Sequence, residues 1–490
     1  MGKGFTMIAK ISLLLAFCIF SLSSFAQHQE IITKLIDSKN IVDKQAKMVA
    51  RSILEKRPLT GEELSEINEE ANSRLILRDE AYAFFSKQVY LVNKRIKKDF
   101  QISEGELAEL MKSLSVAVTL YDTTLYTYVK FHNNPKIRRM LNEKDSSYHR
   151  EWNTFEESIQ ELFSFRNSIR LQRGLKIFKE EYLKKEKLNQ DQELLTTALI
   201  IQQSYLYNKF NEHNVGLSIN DFFYLIGAKL KIESKFKIDL VTYMANSILY
   251  AGSRLFGNIA GSFQKRRGIL YQNPAFLSRV FGEMKPMDML LEKTPFRLTD
   301  KFIPGFWGHA AIYIGTQEDL ERLGIWDNKL VQKYATEISK GKFIVEALRD
   351  KVQMNTLNHF SDIDDFALLR SKEPMNDQKL AEHILRALSH VGKKYDFSFD
   401  VETGDTIVCS ELHYRTYVDL KFNTTLYLGR STISVDQVAE QALSGMPYEP
   451  VVLFLNGEEV EQKELQIKFD DVFNKLDSDL ESVTIELDAA

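Results

Sequence analysis

Cysteine is nearly absent from this chain. Of 490 residues only two are cysteine, Cys18 and Cys409, so no framework of disulfides can hold the fold. Glycine (22) and proline (9) are scarce as well, which excludes a collagen-like or low-complexity disordered chain. No sign of charge dominates: 64 basic and 68 acidic residues give a net charge of −4 and are well mixed. There is no basic stripe of the kind a nucleic-acid partner needs. Beyond the N-terminus no apolar run is long enough to span a bilayer. The nearest, "NSILYAGSRLFGNIAG" from Asn246 to Gly261, is interrupted by Arg254. No closely spaced set of histidine, cysteine and carboxylate reads as a metal site, so neither metal nor cofactor is expected.

The first residues set the expected compartment. Lys3 and Lys10 give a basic start, Ile11 to Phe20 is a short apolar run, and Ser24-Phe25-Ala26 closes it with small residues at the two positions a signal peptidase reads. This pattern predicts a secretory leader over residues 1–26, cut after Ala26, and an exported chain, periplasmic or secreted. Cys18 lies inside the leader, and Phe17 before it is too bulky for a lipoprotein cleavage site. The exported chain would then keep a single cysteine, Cys409. A lone thiol in an oxidising compartment is a buried bystander, an intermolecular link or a reactive group.

Length predicts two or three domains. Residues 27–265 read as an α-helical domain. Thr60 to Glu63 ("TGEE") and Ser103 to Glu106 ("SEGE") are capping boxes ahead of apolar-periodic runs. Leu107, Leu110, Met111 and Leu114 recur at helical spacing, as do Leu240, Met244, Ile248 and Leu249. The texture changes near Ser262 to Phe276. Across 266–460 short β-like runs follow, "MDMLLE", "HAAIYIG", "KFIVEAL", "DFALLR" and "PVVLFLNGE", the last with an Asn-Gly turn. A helix is predicted from Asn376 to Gly392. Residues 461–490 read as a charged tail with no assigned role. The fold class is therefore α+β, an N-terminal helical domain followed by an α+β domain that carries the candidate chemistry.

Cys409 opens "CSELHYRTYV", a helix fed by "DTIV". A helix N-terminus stabilises a thiolate through free N–H groups and the dipole, and the same N–H groups can hold an oxyanion. A thiolate nucleophile works with an imidazole. His309 begins the apolar strand "HAAIYIG", where it shares a face with Ala311 and Tyr313, and Gly308 and the two alanines leave room around it. His413 competes, but one turn along the same helix its ring would lie beside the sulfur rather than in front of it, so it reads as a packing or surface residue. His383 and His390 read as structural, and His359 as a loop residue. The imidazole needs an orienting acceptor. Glu346, the lone acid among Ile344, Val345, Ala347 and Leu348, fits, since burying it unpaired would be costly. Outward projection from an edge strand is the alternative. Trp307 lines a pocket or simply buries surface.

The order of His309 in "GHAAIYIG", Glu346 in "VEA", the aromatic-Asp loop "KKYDFSFD" and Cys409 in "CSEL" resembles the NlpC-type papain-fold cysteine hydrolases, in their circularly permuted YiiX-like branch. The resemblance covers about residues 280 to 455. It implies a permuted papain-like domain with Cys409 as nucleophile, His309 as general base and Glu346 as the imidazole's partner. Met287 stands where the family usually has glycine. Tyr395 and Asp396 match the aromatic-Asp loop and read as a turn with packing. The resemblance implies hydrolysis of an amide, and export favours a cell-wall peptide. A lipid or acyl-amide substrate, and a catalytically idle envelope binding module, are the other readings.

Overall fold

The computed structural model describes residues 3–94, 101–131, 134–183, 191–212, 266–296, 305–396, 399–427 and 430–473. The predicted periodic run Leu240 to Leu249 lies outside them. The chain forms two compact units. One, here the helical unit, comprises 1–51, 67–142 and 152–241; the other, the sheet unit, comprises 52–66, 143–151 and 242–490. Two segments that composition places in the helical half thus pack with the sheet. Both carry helical or turn sequence, and nothing local in them encodes a distant partner.

The helical unit is built around helix Glu104–Phe131. Its Ser103 box forms as expected: Glu106 N–H donates to Ser103 Oγ at 3.3 Å, and Ser103 N–H donates to Glu106 Oε2 at 3.1 Å. Leu107, Leu110, Met111, Leu114, Val118 and Tyr121 are buried along one stripe of it. They pack with Ile31, Phe84, Leu175 and Ile201 from other helices. The helix that starts at Lys3 runs unbroken to Leu54. No helix among the described residues is long and apolar enough to cross a membrane.

The sheet unit holds seven antiparallel strands in the order β4-β3-β2-β1-β5-β8-β9. These are β1 (Met289–Lys293), β2 (His309–Tyr313), β3 (Ile344–Ala347), β4 (Val352–Asn355), β5 (Asp365–Ser371), β8 (Tyr448–Leu455) and β9 (Glu458–Glu459); β6 (Thr425–Tyr427) and β7 (Arg430–Thr432) form a separate ribbon. Five of the apolar runs become strands where the sequence places them; β4, "VQMN", has only two apolar residues and gives no clear pattern. The Asn-Gly turn joins β8 to β9 with φ 51° at Asn456 and 81° at Gly457, the left-handed geometry that a two-residue hairpin requires. Leu290, Ala311, Ile344, Phe366, Leu368, Val452 and Phe276 form one core cluster. Helix Asp377–Ser389 packs with helix Cys409–Thr416, which also packs on β2 and β3. Leu465 and Phe469, inside the stretch read as a charged tail, are buried, and Phe469 stacks on Trp307 with ring centroids 6.1 Å apart. Trp307 is fully buried and fills space in this way.

Met287 adopts φ +68° and is buried. That left-handed backbone is what glycine enters freely and a branched-off side chain resists, at about 1 kcal/mol. Its N–H bonds Tyr313 O at 2.7 Å, and its carbonyl accepts from Tyr417 Oη at 3.1 Å. These bonds hold the conformation without the glycine.

Candidate active site

His309 is the first residue of β2. The turn before it is pinned by Asp436, whose carboxylate accepts from Phe306 N at 2.9 Å and Trp307 N at 2.8 Å. Gly305 (φ +107°) passes so close to this carboxylate that a Cβ would fall 2.2 Å from Asp436 Oδ2. Gly308 N donates to Glu292 O at 2.9 Å. The ring is therefore placed by backbone contacts that leave its own nitrogens for other work.

Glu346 lies in β3 opposite Ala311. Directly paired residues of antiparallel strands point to the same face, so Glu346 shares the face of Ala311. Its carboxylate accepts from His309 Nε2 at 2.8 Å and from Asn355 Nδ2 at 2.7 Å, and His359 Nδ1 stands 3.5 Å from Oε1. All four residues of β3 are buried, so Glu346 does not project outward as an edge residue would. Burial pushes its pKa up, but the hydrogen bonds of His309 and His359, the charge of His309 and the bond of Asn355 overcome this and bring it down to about 2.

Cys409 opens helix Cys409–Thr416 and is 6% exposed. Ser410 Oγ anchors the first turn to Ile433 O at 2.7 Å. The N-cap is Val408, which offers no side-chain cap, so the first-turn N–H groups keep their positive potential. The helix that Cys409 opens packs on β2, the strand that His309 begins. Burial lowers the imidazole's pKa, but the charge and hydrogen bond of Cys409, the bond to Glu346 and the charge of Glu292 together raise it well above 6.5. The fold thus bonds the imidazole of His309 to the carboxylate of Glu346 and packs the helix that Cys409 opens on the strands that carry them.

Other residues join them that sequence left aside. Asn355 and His359 complete the shell of Glu346; His359 sits in a short helix, Leu357–Phe360, rather than in a loop. Glu292 is the cross-strand partner of His309. Tyr395 precedes the cysteine helix; burial, then the charges of Cys409, Glu411 and Asp396, raise its phenol well above 10. Glu411 is 1% exposed and accepts from Val408 N at 2.9 Å through Oε2. Its Oε1 has no hydrogen-bond partner. Burial and the charge of Asp396 raise its pKa well above 4.5. Of the acids at the site Glu346 alone gave a sequence signal, standing by itself in an apolar run; Glu411, in "CSELHY", gave none.

His413 is fully buried and packs as one of the two expected readings has it. Nδ1 is 3.0 Å from Cys409 O, Nε2 is 3.2 Å from Ala311 O, and the ring stacks on Tyr417. Burial lowers its pKa to about 4. His383 and His390 are also buried, His383 against Asp419 at 2.8 Å and His390 against Ser147 at 3.2 Å. Among the described residues no group of three or more His, Cys, Asp or Glu is placed to hold a metal ion.

An antiparallel sheet with an imidazole on an early strand, its acid on the next, and a thiol at a later helix start defines a cysteine hydrolase of papain type in permuted order. Residues 283–466 match the family described as permuted papain-like amidase enzyme, YaeF/YiiX, C92 family. This part of the chain is a permuted papain-like cysteine peptidase or amidase domain. No curated protein and no solved structure matches the chain.

Proposed function

We propose that the chain is an exported amidase that cleaves an amide bond, in a cell-wall peptide, through Cys409, His309 and Glu346. The observation that carries this reading is the His309 ring, bonded to Glu346 through Nε2 on the strand against which the helix opened by Cys409 packs. With Nε2 engaged, Nδ1 is the nitrogen left to exchange a proton with sulfur. Glu346 stays ionised and favours the imidazolium, and an imidazolium beside the thiol favours the thiolate.

The sulfur attacks the carbonyl carbon, and the C=O electron pair moves to oxygen. The uncapped N–H groups at the start of the cysteine helix receive that oxyanion. His309 gives its proton to the leaving nitrogen as the C–N bond breaks, leaving a thioester on Cys409. Water, deprotonated by His309, then attacks the thioester, and the C–S bond breaks to return the thiolate. The leader expected over residues 1–26 supports an envelope substrate.

The test is alkylation of Cys409 by iodoacetamide from pH 5 to 9 in wild type and His309→Ala. Wild type reacts faster than free cysteine at the acid end, and the variant loses that advantage. Equal profiles would remove His309 from the mechanism. Digestion of purified wall fragments beside N-acyl amides of lipids then decides the substrate; cleavage of the lipid amides alone would replace the wall peptide.

A further inference from the structure

The loop from Lys393 to Ile407 delivers the chain to the cysteine helix and carries Tyr395. Its two arms are tied near the helix: Lys394 and Thr406 form a parallel bridge, Ile407 N donates to Lys394 O at 2.9 Å, and Asp396 N donates to Ile407 O at 3.3 Å. One residue below this tie the loop rests on a segment from far upstream, Glu143–Glu151. Lys393 Nζ meets Asp145 Oδ1 at 2.7 Å, with both side chains fully buried. The same ammonium donates to Gly404 O at 2.7 Å. Gly404 N donates to Glu143 Oε2 at 3.1 Å, and Ser146 N donates to Asp405 Oδ1 at 3.2 Å. Gly404 has no space for a side chain here, since a Cβ would lie 2.7 Å from Lys144 O.

The upstream segment is itself cross-linked by hydrogen bonds. Asp145 and Arg150 exchange backbone hydrogen bonds of 2.9 and 3.0 Å, and Arg150 Nε donates to Glu143 O at 3.1 Å. Ser147 N donates to Asp145 Oδ1 at 3.0 Å, which fixes the carboxylate before the lysine reaches it. A buried ion pair is a poor source of stability compared with apolar packing. What this one does that packing could not is hold one ammonium between a carboxylate and a carbonyl in a defined direction.

Resting on the assignment of Cys409 as nucleophile, we propose that Asp145 and Lys393 are positioning residues of the cysteine site. The segment Glu143–Glu151 braces the foot of the loop so that Tyr395 and the sulfur are held in register with His309. The active unit of this chain then extends beyond the family-matched residues 283–466 and includes a segment that in sequence follows helix Pro135–Asn142 and precedes helix Thr154–Leu162.

The experiment uses the full chain. Lys393→Met, Asp145→Asn, the double variant and Glu143→Ala are compared with wild type by thermal melt, by alkylation rate of Cys409 against pH, and by kcat and KM on an activated ester. Each single change at the ion pair lowers the melting temperature, because a buried charge loses its partner. The double variant, neutral at both positions, regains most of that loss. Its alkylation and kcat nevertheless stay about tenfold below wild type with KM unchanged, because Gly404 O has lost its donor and small misplacements of a reacting group carry penalties of this size. Glu143→Ala shows the same pattern to a smaller degree and carries the test alone if the ion-pair variants do not fold. A double variant, or failing that Glu143→Ala, with the wild-type alkylation profile and kcat would overturn the proposal and leave the pair as scaffolding. Wild type that alkylates no faster than His309→Ala would instead sink the catalytic assignment on which it rests.

Discussion

The two units fill their interiors differently. In the helical unit most of the buried space belongs to leucine, isoleucine, valine and aromatic rings, with His28 and Lys112 as buried exceptions, and many of its buried hydroxyls are turned back on their own helix, as Thr119, Thr123 and Thr127 are on carbonyls four residues earlier. In the sheet unit ionisable groups lie inside: Asp288 with Arg370, Glu346 with His309, Lys393 with Asp145, and Glu411 and His413 beneath the cysteine. Apolar packing tolerates substitution and fixes a shape loosely; buried charge is costly and persists where direction matters. Perturbed ionisation accordingly gathers around Cys409, as expected of a working site.

Four substitutions sharpen or break that contrast. Cys409→Ala should abolish hydrolysis, by about three orders of magnitude or more, with little change in melting temperature; turnover assays and a melt check both. Glu346→Gln should lower kcat by about 100-fold and move the alkaline limb of the pH–rate profile to lower pH, since Glu346 helps raise His309. The sign of its stability effect follows from the same pair. Glu346, lowered to about 2 in the fold, contributes stability that is present above the unfolded value near 4.5 and is lost as pH falls toward 2. His309, raised in the fold, contributes below 6.5 and loses that contribution as pH rises through its raised value. Denaturation of Glu346→Gln against pH should therefore lack the wild-type loss between about 4.5 and 2.

His413→Phe keeps the ring stacked near Tyr417 and removes both nitrogens. We expect a loss in kcat of about fivefold, from a slackened helix-to-strand contact at Ala311 O. His413 is lowered to about 4, so its burial as a neutral ring destabilises the fold progressively as pH falls from 6.5 to 4. The variant should be the more acid-resistant protein in that window, read by urea denaturation. Leu110→Ala in the helical unit should cost about 2–5 kcal/mol of stability and leave the alkylation profile of folded protein unchanged. A change in that profile would show that the apolar unit also tunes the chemistry.

Sequence showed the parts whose signal is local. Capping residues, apolar runs and the Asn-Gly turn announce their own geometry, and an acid inside "FIVEAL" announces that it needs a partner. Cys409 and His309 stood out for what surrounded them, a missing second thiol and a ring amid small residues. What stayed hidden depends on residues distant in the chain. Asn355 lies on a strand recognisable only by its pairing with β3. His359 becomes relevant because Glu346 reaches it. Residues 143–151 have no pattern that names Lys393, and Phe469 looks like one aromatic in a charged stretch until Trp307 is beside it.

The unbroken helix Lys3–Leu54 bears on how the mature protein would begin. Removal of the proposed leader after Ala26 leaves Gln27 as the first residue of a continuing helix, with His28 immediately behind it, buried and 2.8 Å from Ser115 Oγ. The newly freed α-ammonium would meet the positive pole of the helix dipole, an unfavourable pairing, beside an imidazole that burial and the charge of Lys112 hold neutral, with a pKa of about 4. Processing would thus place a fresh cation at the edge of a packed interior rather than on a loose tail, and a purification tag joined directly at Gln27 would need a spacer to clear it.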